Sequence, residues 1–392
     1  MKVLAVRGWP PSRPSMEGPM PTSGLDSRRV DAVIDDAVAA GRIVGTVVLV
    51  ARDGVPVYER AAGYADRESG RSTTIDTVFR LASFTKPLTA ATALALTERG
   101  LLSLDDSVAR FLPTFVPRLA DGTPPDIQVR HLLTHTAGFG YPTLLPEDPY
   151  RAAQVSTGLD QPGLTLTENL ERIASVPLYF APGSGWRYGV ATDVLGAVIE
   201  AITGESLANA IAAYVTDPLG MRDTGFTVRE PERLATPYAD GTPRAVRMTE
   251  PFPVRDLIFS PARAFDETSF QSGGGGMVGT ARDFMTFLEA VRCGGSPILQ
   301  RSTVDMASSN QVGSLREGDD PGWGFGFLSG VLIDPRRAQW PSQLGTLRWG
   351  GVWGNSWFID PVAGFTVVSL SNTALEGQGA FRQQIADAIY GR

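Results

Sequence analysis

Ser83-Phe84-Thr85-Lys86 sets a hydroxyl and an amine three residues apart, a spacing that one helical turn turns into neighbours on one face. A serine becomes a nucleophile when a nearby base takes its proton, and a desolvated lysine can be that base. Lys86 stands out by composition as well. The chain has only two lysines, Lys2 and Lys86, while the other 33 basic residues are arginines. Arginine keeps its proton at any workable pH, so a residue that must cycle one has to be something else. The competing reading of the same residues is a serine that caps a helix and a lysine whose stem carries its charge out to water.

Other hydrolytic chemistries find little material. No serine has glycine at both −2 and +2, so the strand–serine–helix elbow of α/β-hydrolases is missing. His131 and His135 are the only histidines. Their spacing suits a zinc helix, but the glutamate of that motif and a third histidine are absent, so packed structural histidines are expected and no metal. Cys293 is the only cysteine, which excludes a disulfide framework and a cysteine-based zinc site. The run Gly273 to Gly276 is not followed by Gly-Lys-Ser/Thr, so it does not read as a phosphate loop.

These residues need a frame. The 392-residue chain is 43% hydrophobic, enough for a large core. Its net charge of −7 without a basic block argues against nucleic acid and anionic membrane as partners. The first seven residues hold too few apolar positions for a signal peptide, and no run reaches the length of a membrane span, so a cytoplasmic protein is expected.

Residues 1–24 carry five prolines and no apolar period, which predicts a loose arm. Val30, Val33, Ile34, Ala37 and Val38 follow a helical period, with Asp26 or Ser27 as cap and Gly41 as stop. Asp53-Gly54 between β-branched runs predicts an antiparallel hairpin. The stretch 83–99 is apolar nearly all round, the pattern of a helix buried on every side. A further helix is expected over 193–202, and another over 284–291 with Thr280 and Asp283 as its cap. Strand signals return at 346–351, 356–359 and 365–370, before a last amphipathic helix bearing Phe381, Ile385 and Ile389. Strands at both ends with helices between suggest one sheet closed by the two ends of the chain, plus an inserted helical lobe. The division drawn is 25–82 with 291–392 as a sheet domain and 83–290 as a mainly helical lobe.

Phe79-Arg80-Leu81-Ala82-Ser83-Phe84-Thr85-Lys86 resembles the first motif of the serine β-lactamase and penicillin-binding-protein superfamily. His131-Leu132-Leu133-Thr134-His135-Thr136-Ala137-Gly138 and Pro182-Gly183-Ser184-Gly185-Trp186-Arg187-Tyr188 resemble two further segments, and Tyr188 matches the second motif. Trp349-Gly350-Gly351 stands where the third motif belongs. The likeness spans about residues 28 to 392 and is closest to the family VIII carboxylesterases, esterases on a class C β-lactamase fold. It implies an α+β, β-lactamase/transpeptidase-like fold: an antiparallel sheet from both chain ends, flanked by helices, with the active site between sheet and helical lobe. It also implies roles. Ser83 would attack the carbonyl and carry the acyl group, and Lys86 and Tyr188 would share acid and base duty, in an order the sequence leaves open. The backbone N–H groups of Ser83 and Val352 would form the oxyanion hole, and Trp349, Gly350 and Gly351 would border the substrate. No cofactor is implied, and the partner is a small-molecule ester.

Two departures from the superfamily pattern matter. Val190 stands where most relatives acting on β-lactams or peptides have asparagine, and Trp349 stands where they have lysine or histidine. An indole offers apolar surface and one N–H but no charge. A pocket without that cation should favour short neutral esters and show little or no β-lactamase activity. Trp323, Phe325, Phe327, Trp353 and Trp357 fit an apolar wall for it, with core packing the commoner use of such residues. The rival readings are an amidase, transacylase or weak β-lactamase on the same fold, and a non-catalytic sensor or scaffold.

Overall fold

The computed structural model describes residues 24–392 apart from 144, 146, 255, 317, 319, 377 and 378. The arm expected at 1–24 therefore lies, but for Gly24, outside the described residues. Helix α1 (Ser27–Ala39) starts where Asp26 accepts a hydrogen bond from the Arg28 N–H, and it buries Val30, Ile34 and Ala37. Strands β1 (Gly45–Arg52) and β2 (Val55–Asp66) pair antiparallel across Asp53 and Gly54. Both turn residues have positive φ, 51° and 79°, as a two-residue turn matching the strand twist requires. The short β3 (Arg71–Ser72) extends the edge.

Helix α2 (Thr85–Glu98) is buried from Thr85 through Leu96, as its all-round apolar pattern predicts. Pro87 sits in its first turn, where a missing N–H breaks no helical bond. Next come α3 (Val129–Leu133), α4 (Ala191–Thr203), and a hairpin of β4 (Phe252–Val254) and β5 (Leu257–Phe259). Helix α5 (Ala281–Arg292) is capped by Thr280, whose hydroxyl accepts from the Asp283 N–H. The Asp283 carboxylate does not reach back. It accepts instead from the Asp223 N–H and the Thr224 hydroxyl. The chain closes with β6 (Trp323–Phe325), β7 (Gly330–Leu332), β8 (Leu347–Gly351), β9 (Asn355–Asp360), β10 (Phe365–Ser371) and α6 (Ala380–Tyr390).

The sheet runs β6-β7-β8-β9-β10-β1-β2-β3. Its centre joins the two ends of the chain: Thr46 pairs with Ser371 and Arg52 with Phe365, antiparallel. Alternation along each strand sends side chains to opposite faces. Val48, Val50, Phe358 and Val367 face α1 and α6, packing on Ile34, Phe381 and Ile385. Val47, Leu49, Trp357 and Val368 face the other way, into the larger core that holds α2 and α5. Phe284 of α5 meets Phe84, just before α2, at 4.3 Å between ring centres. Helix α5 packs on β10 and β1. It thus covers the sheet, although the division drawn from sequence assigns nearly all of it to the helical lobe. No single helix among the described residues is long and apolar enough to cross a membrane.

Candidate active site

Ser83 lies in a 3₁₀ turn, Ala82–Phe84, that leads into α2. The residue before it, Ala82, has φ of 46°, a left-handed conformation that costs an L-residue roughly 1–2 kcal/mol. Surrounding bonds hold it there. The Leu81 N–H donates to the Met277 carbonyl at 2.8 Å, and the Asn355 side-chain amide donates to the Arg80 carbonyl at 2.9 Å and the Leu81 carbonyl at 3.4 Å. The end of β8 presses on the same peptide. A Cβ at Gly351 would lie 2.6 Å from the Leu81 carbonyl oxygen, so only glycine lets the strand approach.

Two proton-carrying groups converge on the serine. Tyr188 Oη donates to Ser83 Oγ at 2.8 Å, and Lys86 Nζ donates to it at 3.3 Å. Lys86 also donates to Tyr141 Oη at 2.9 Å and to the Gly274 carbonyl at 2.6 Å. Its ammonium stands 4.7 Å from the centre of the Tyr188 ring. Trp349 Nε1 donates to Tyr188 Oη at 3.3 Å, so the phenol oxygen is held from a second side. The structure brings Ser83, Lys86 and Tyr188, the residues singled out in the sequence, within hydrogen-bond reach of one oxygen. Sequence reasoning misses Tyr141 and the Gly274 carbonyl, which complete the lysine's shell.

Burial opposes the charge on Lys86, but the phenol oxygens of Tyr141 and Tyr188 outweigh it and hold the ammonium above its ordinary range. Burial pushes the Tyr141 phenol up, with Lys86 acting against it. His135 is buried, and its Nδ1 has no hydrogen-bond partner among the described residues. Burial, then Lys86 and Arg316, push its imidazole well below the usual range, so it is a neutral ring packed against Tyr188 at 4.7 Å. His135 has φ of 58° and lies beyond the end of α3, so the two histidines do not share a helix face. His131 Nδ1 accepts from the Gln128 N–H instead. Among the described residues no cluster of ligating side chains could hold a metal.

A cleft of about 220 Å³ opens at Ser83. Ala82, Tyr141, Thr157, Leu159, Tyr188, Leu257, Gly274, Gly275 and Val352 complete its wall, which holds no charged side chain among the described residues. Val352 thus stands at the cleft, across from Ser83. Trp349 does not border it: the indole lies behind Tyr188, beside a gap of about 10 Å³ shared with Lys86, His135 and Phe325. Gly350 and Gly351 are held in the β8–β9 ladder, paired with Ser356 and Asn355. Val190 is fully buried in the core. The expected aromatic wall also fails. Trp323 faces α1 and α6, Phe327 and Trp357 fill the core, and Trp353 packs edge-on against Phe259 at 4.5 Å. Phe325 meets Trp349 edge-on at 5.1 Å between ring centres, one layer behind the phenol.

A serine, lysine and tyrosine at the junction of this sheet and these helices define a serine hydrolase of the β-lactamase type, and the chain belongs to the beta-lactamase family, whose description matches residues 30–391. Esterase EstB of Burkholderia gladioli is 49% identical over 373 residues, covering 93% of this chain and 95% of that one. The solved structure of EstCE1, described as a hydrolase with promiscuous acyltransferase activity, superposes with a TM-score of 0.91. It is 43% identical and covers 93% of this chain and 98% of its own. Lovastatin esterase of Penicillium rubens is 29% identical over 366 residues, covering 84% of this chain and 89% of that one. The α+β fold and the likeness to family VIII carboxylesterases expected from the sequence are both borne out.

Proposed function

We propose that this serine carboxylesterase hydrolyses short, neutral esters through an acyl-enzyme at Ser83, with little or no action on β-lactams. The convergence of Lys86 Nζ and Tyr188 Oη on Ser83 Oγ carries the reading. Ser83 Oγ adds to the ester carbonyl while its proton passes to the Lys86–Tyr188 pair. The pair returns that proton to the departing alkoxide as the C–O bond breaks. A water then gives its proton to the same pair and adds to the acyl group, and the pair returns that proton to Ser83 Oγ as the acyl–oxygen bond breaks and the acid leaves. The N–H groups of Ser83 and Val352 would receive the carbonyl oxygen as it gains charge.

The uncharged cleft wall supports the neutral substrate. Apart from the Lys86 ammonium, which the Ser83, Tyr141 and Gly274 oxygens already engage, the described wall offers a carboxylate no cation to replace its lost water, which is costly. Transfer of the acyl group to a small alcohol is a second reading, favoured by the apolar wall that competes poorly for water. We take the protein to be cytoplasmic and its partner to be the ester alone.

The test combines three measurements: intact-mass labelling with a fluorophosphonate, turnover of nitrophenyl butyrate, and turnover of a chromogenic cephalosporin. A single adduct at Ser83 is expected, together with ester turnover far above cephalosporin turnover. Ser83→Ala should lower ester turnover by a factor on the order of 10⁴ or more with the fold intact. Residual turnover within tenfold of wild type in a folded Ser83→Ala protein would overturn the mechanism, and cephalosporin hydrolysis comparable to ester hydrolysis would overturn the substrate class.

A further inference from the structure

Among the described residues the hydrogen-bond acceptors of Lys86 Nζ are a serine hydroxyl, a phenol and the Gly274 carbonyl, none of them a carboxylate. A buried ammonium so placed still needs negative charge within reach of its field. Asp193 answers that need from one layer further in. It is the third residue of α4 and only 1% exposed. Its Oδ1 accepts from the Ser272 hydroxyl at 2.6 Å and from the Gly274 N–H at 3.2 Å. Its Oδ2 is buried without a hydrogen-bond partner among the described residues. The carboxylate lies flat against Gly274, where a Cβ would stand 2.9 Å from Oδ2. Gly274 is therefore gripped at both ends, by Asp193 through its N–H and by Lys86 through its carbonyl.

We propose that Asp193 is a positioning residue of the esterase: it fixes the Gly274 carbonyl against Lys86 and supplies the negative charge that sets the pH at which the Lys86–Tyr188 pair gives up a proton. The proposal rests on the reading of Lys86 and Tyr188 as the acid–base pair. Groups that face the carboxylate are Ser272 and Gly274 on the glycine turn, Lys86 on α2, Tyr141, and Arg263, whose guanidinium is engaged by the carbonyls of Asp160, Gln161 and Phe270. Burial raises the Asp193 carboxyl, against the Ser272 hydroxyl, Lys86, the Gly274 N–H and Arg263. Groups facing Lys86 are Ser83, Tyr141, Tyr188, Asp193 and the neutral His135.

The sign follows from charge. The active form of the pair has lost one proton, so ester turnover rises with pH through that loss. A carboxylate nearby makes the loss harder and holds the rising limb at higher pH. Asp193→Asn keeps an acceptor for Ser272 and Gly274 but removes the charge. The rising limb of kcat/KM for nitrophenyl butyrate should then move down by about one pH unit. The plateau should fall about tenfold through kcat, with KM within about threefold. A brace without electrostatic effect would lower the rate at every pH and leave the limb in place, so an unmoved limb in the folded variant overturns the proposal. Should Asp193→Asn not fold, Asp193→Thr, neutral and able to keep one acceptor, is read in the same way. Fluorophosphonate labelling of wild type separates the two levels. Absence of an adduct at Ser83 refutes the functional reading and this proposal with it, whereas a labelled Ser83 with an unmoved limb refutes this proposal alone.

Discussion

Strand β8 adjoins a cation among aromatic rings on each of its faces, its own Arg348 on one and Lys86 of α2 on the other, and the two clusters differ in kind. On the face toward α1 and α6, the Arg348 guanidinium lies 3.7 Å from the Trp323 ring centre and 4.7 Å from that of Trp340, with Asp320 at 2.7 Å. On the opposite face Trp349 reaches Tyr188, which with Tyr141 encloses Lys86. Both are buried cation–π arrangements of the sort that stabilise a fold by about 0.5–2 kcal/mol. In the first, the cation holds its proton permanently and the rings are indoles. In the second, the cation is an amine and each ring carries a hydroxyl within hydrogen-bond reach. The same packing motif is structural where no proton can move and chemical where three groups can pass one. Residue type, more than geometry, separates them.

The sharpest way to break this contrast is to exchange the cations. Lys86→Arg keeps charge and bulk but ends proton cycling, so kcat/KM for nitrophenyl butyrate should fall by a factor on the order of 10² to 10⁴. Arg348→Lys should leave kcat/KM within about twofold and lower stability by roughly 1–2 kcal/mol in urea unfolding, since a lysine stacks less well on indole. Retained activity in folded Lys86→Arg would shift the base role to Tyr188 alone. The next effect in size separates the two phenols. Tyr141→Phe removes one of three acceptors from Lys86 Nζ, a charge-assisted bond whose loss should cost about tenfold in kcat. Tyr188→Phe should cost at least tenfold more, because it removes the group on the serine oxygen itself. Equal losses would mean that the hydroxyl on the serine oxygen has no larger part than the one on the lysine. The smallest effect belongs to Trp349→Phe. It keeps the ring against Tyr188 and deletes the 3.3 Å bond to its oxygen, so kcat should drop about two- to fivefold with KM unchanged. A rise in KM instead would return Trp349 to the substrate wall.

The frame was legible where a local signal is strong. Asp53-Gly54 marks its hairpin, the all-round apolar run marks α2, and the strands at both ends foretell the sheet's central pairing. Ser83, Lys86 and Tyr188 were legible through ordered motifs. Tyr141 was not, because nothing in its neighbourhood says that its loop returns to α2. Gly274 was hidden for another reason: its contribution is a carbonyl, which every residue possesses. The misread aromatics show a third limit. Trp323 and Phe325 are two residues apart and look alike in composition. A strand ordinarily sends such residues to one face, yet they enter different layers at the sheet's edge. The four-residue spacing of His131 and His135 does not put them on one helix face, because the helix ends at Leu133 and the chain takes a positive φ at His135.

The Asn355 amide that steadies the turn before Ser83 comes from a residue 275 positions beyond Arg80, on a strand that itself waits for β10 and β1 to meet. During synthesis Ser83, Lys86 and Tyr188 all emerge well before that clamp exists. Contacts so distant in sequence form late and slowly. Esterase activity should therefore be the last property regained on refolding, trailing the recovery of helical signal, and its appearance would time the closing of the sheet.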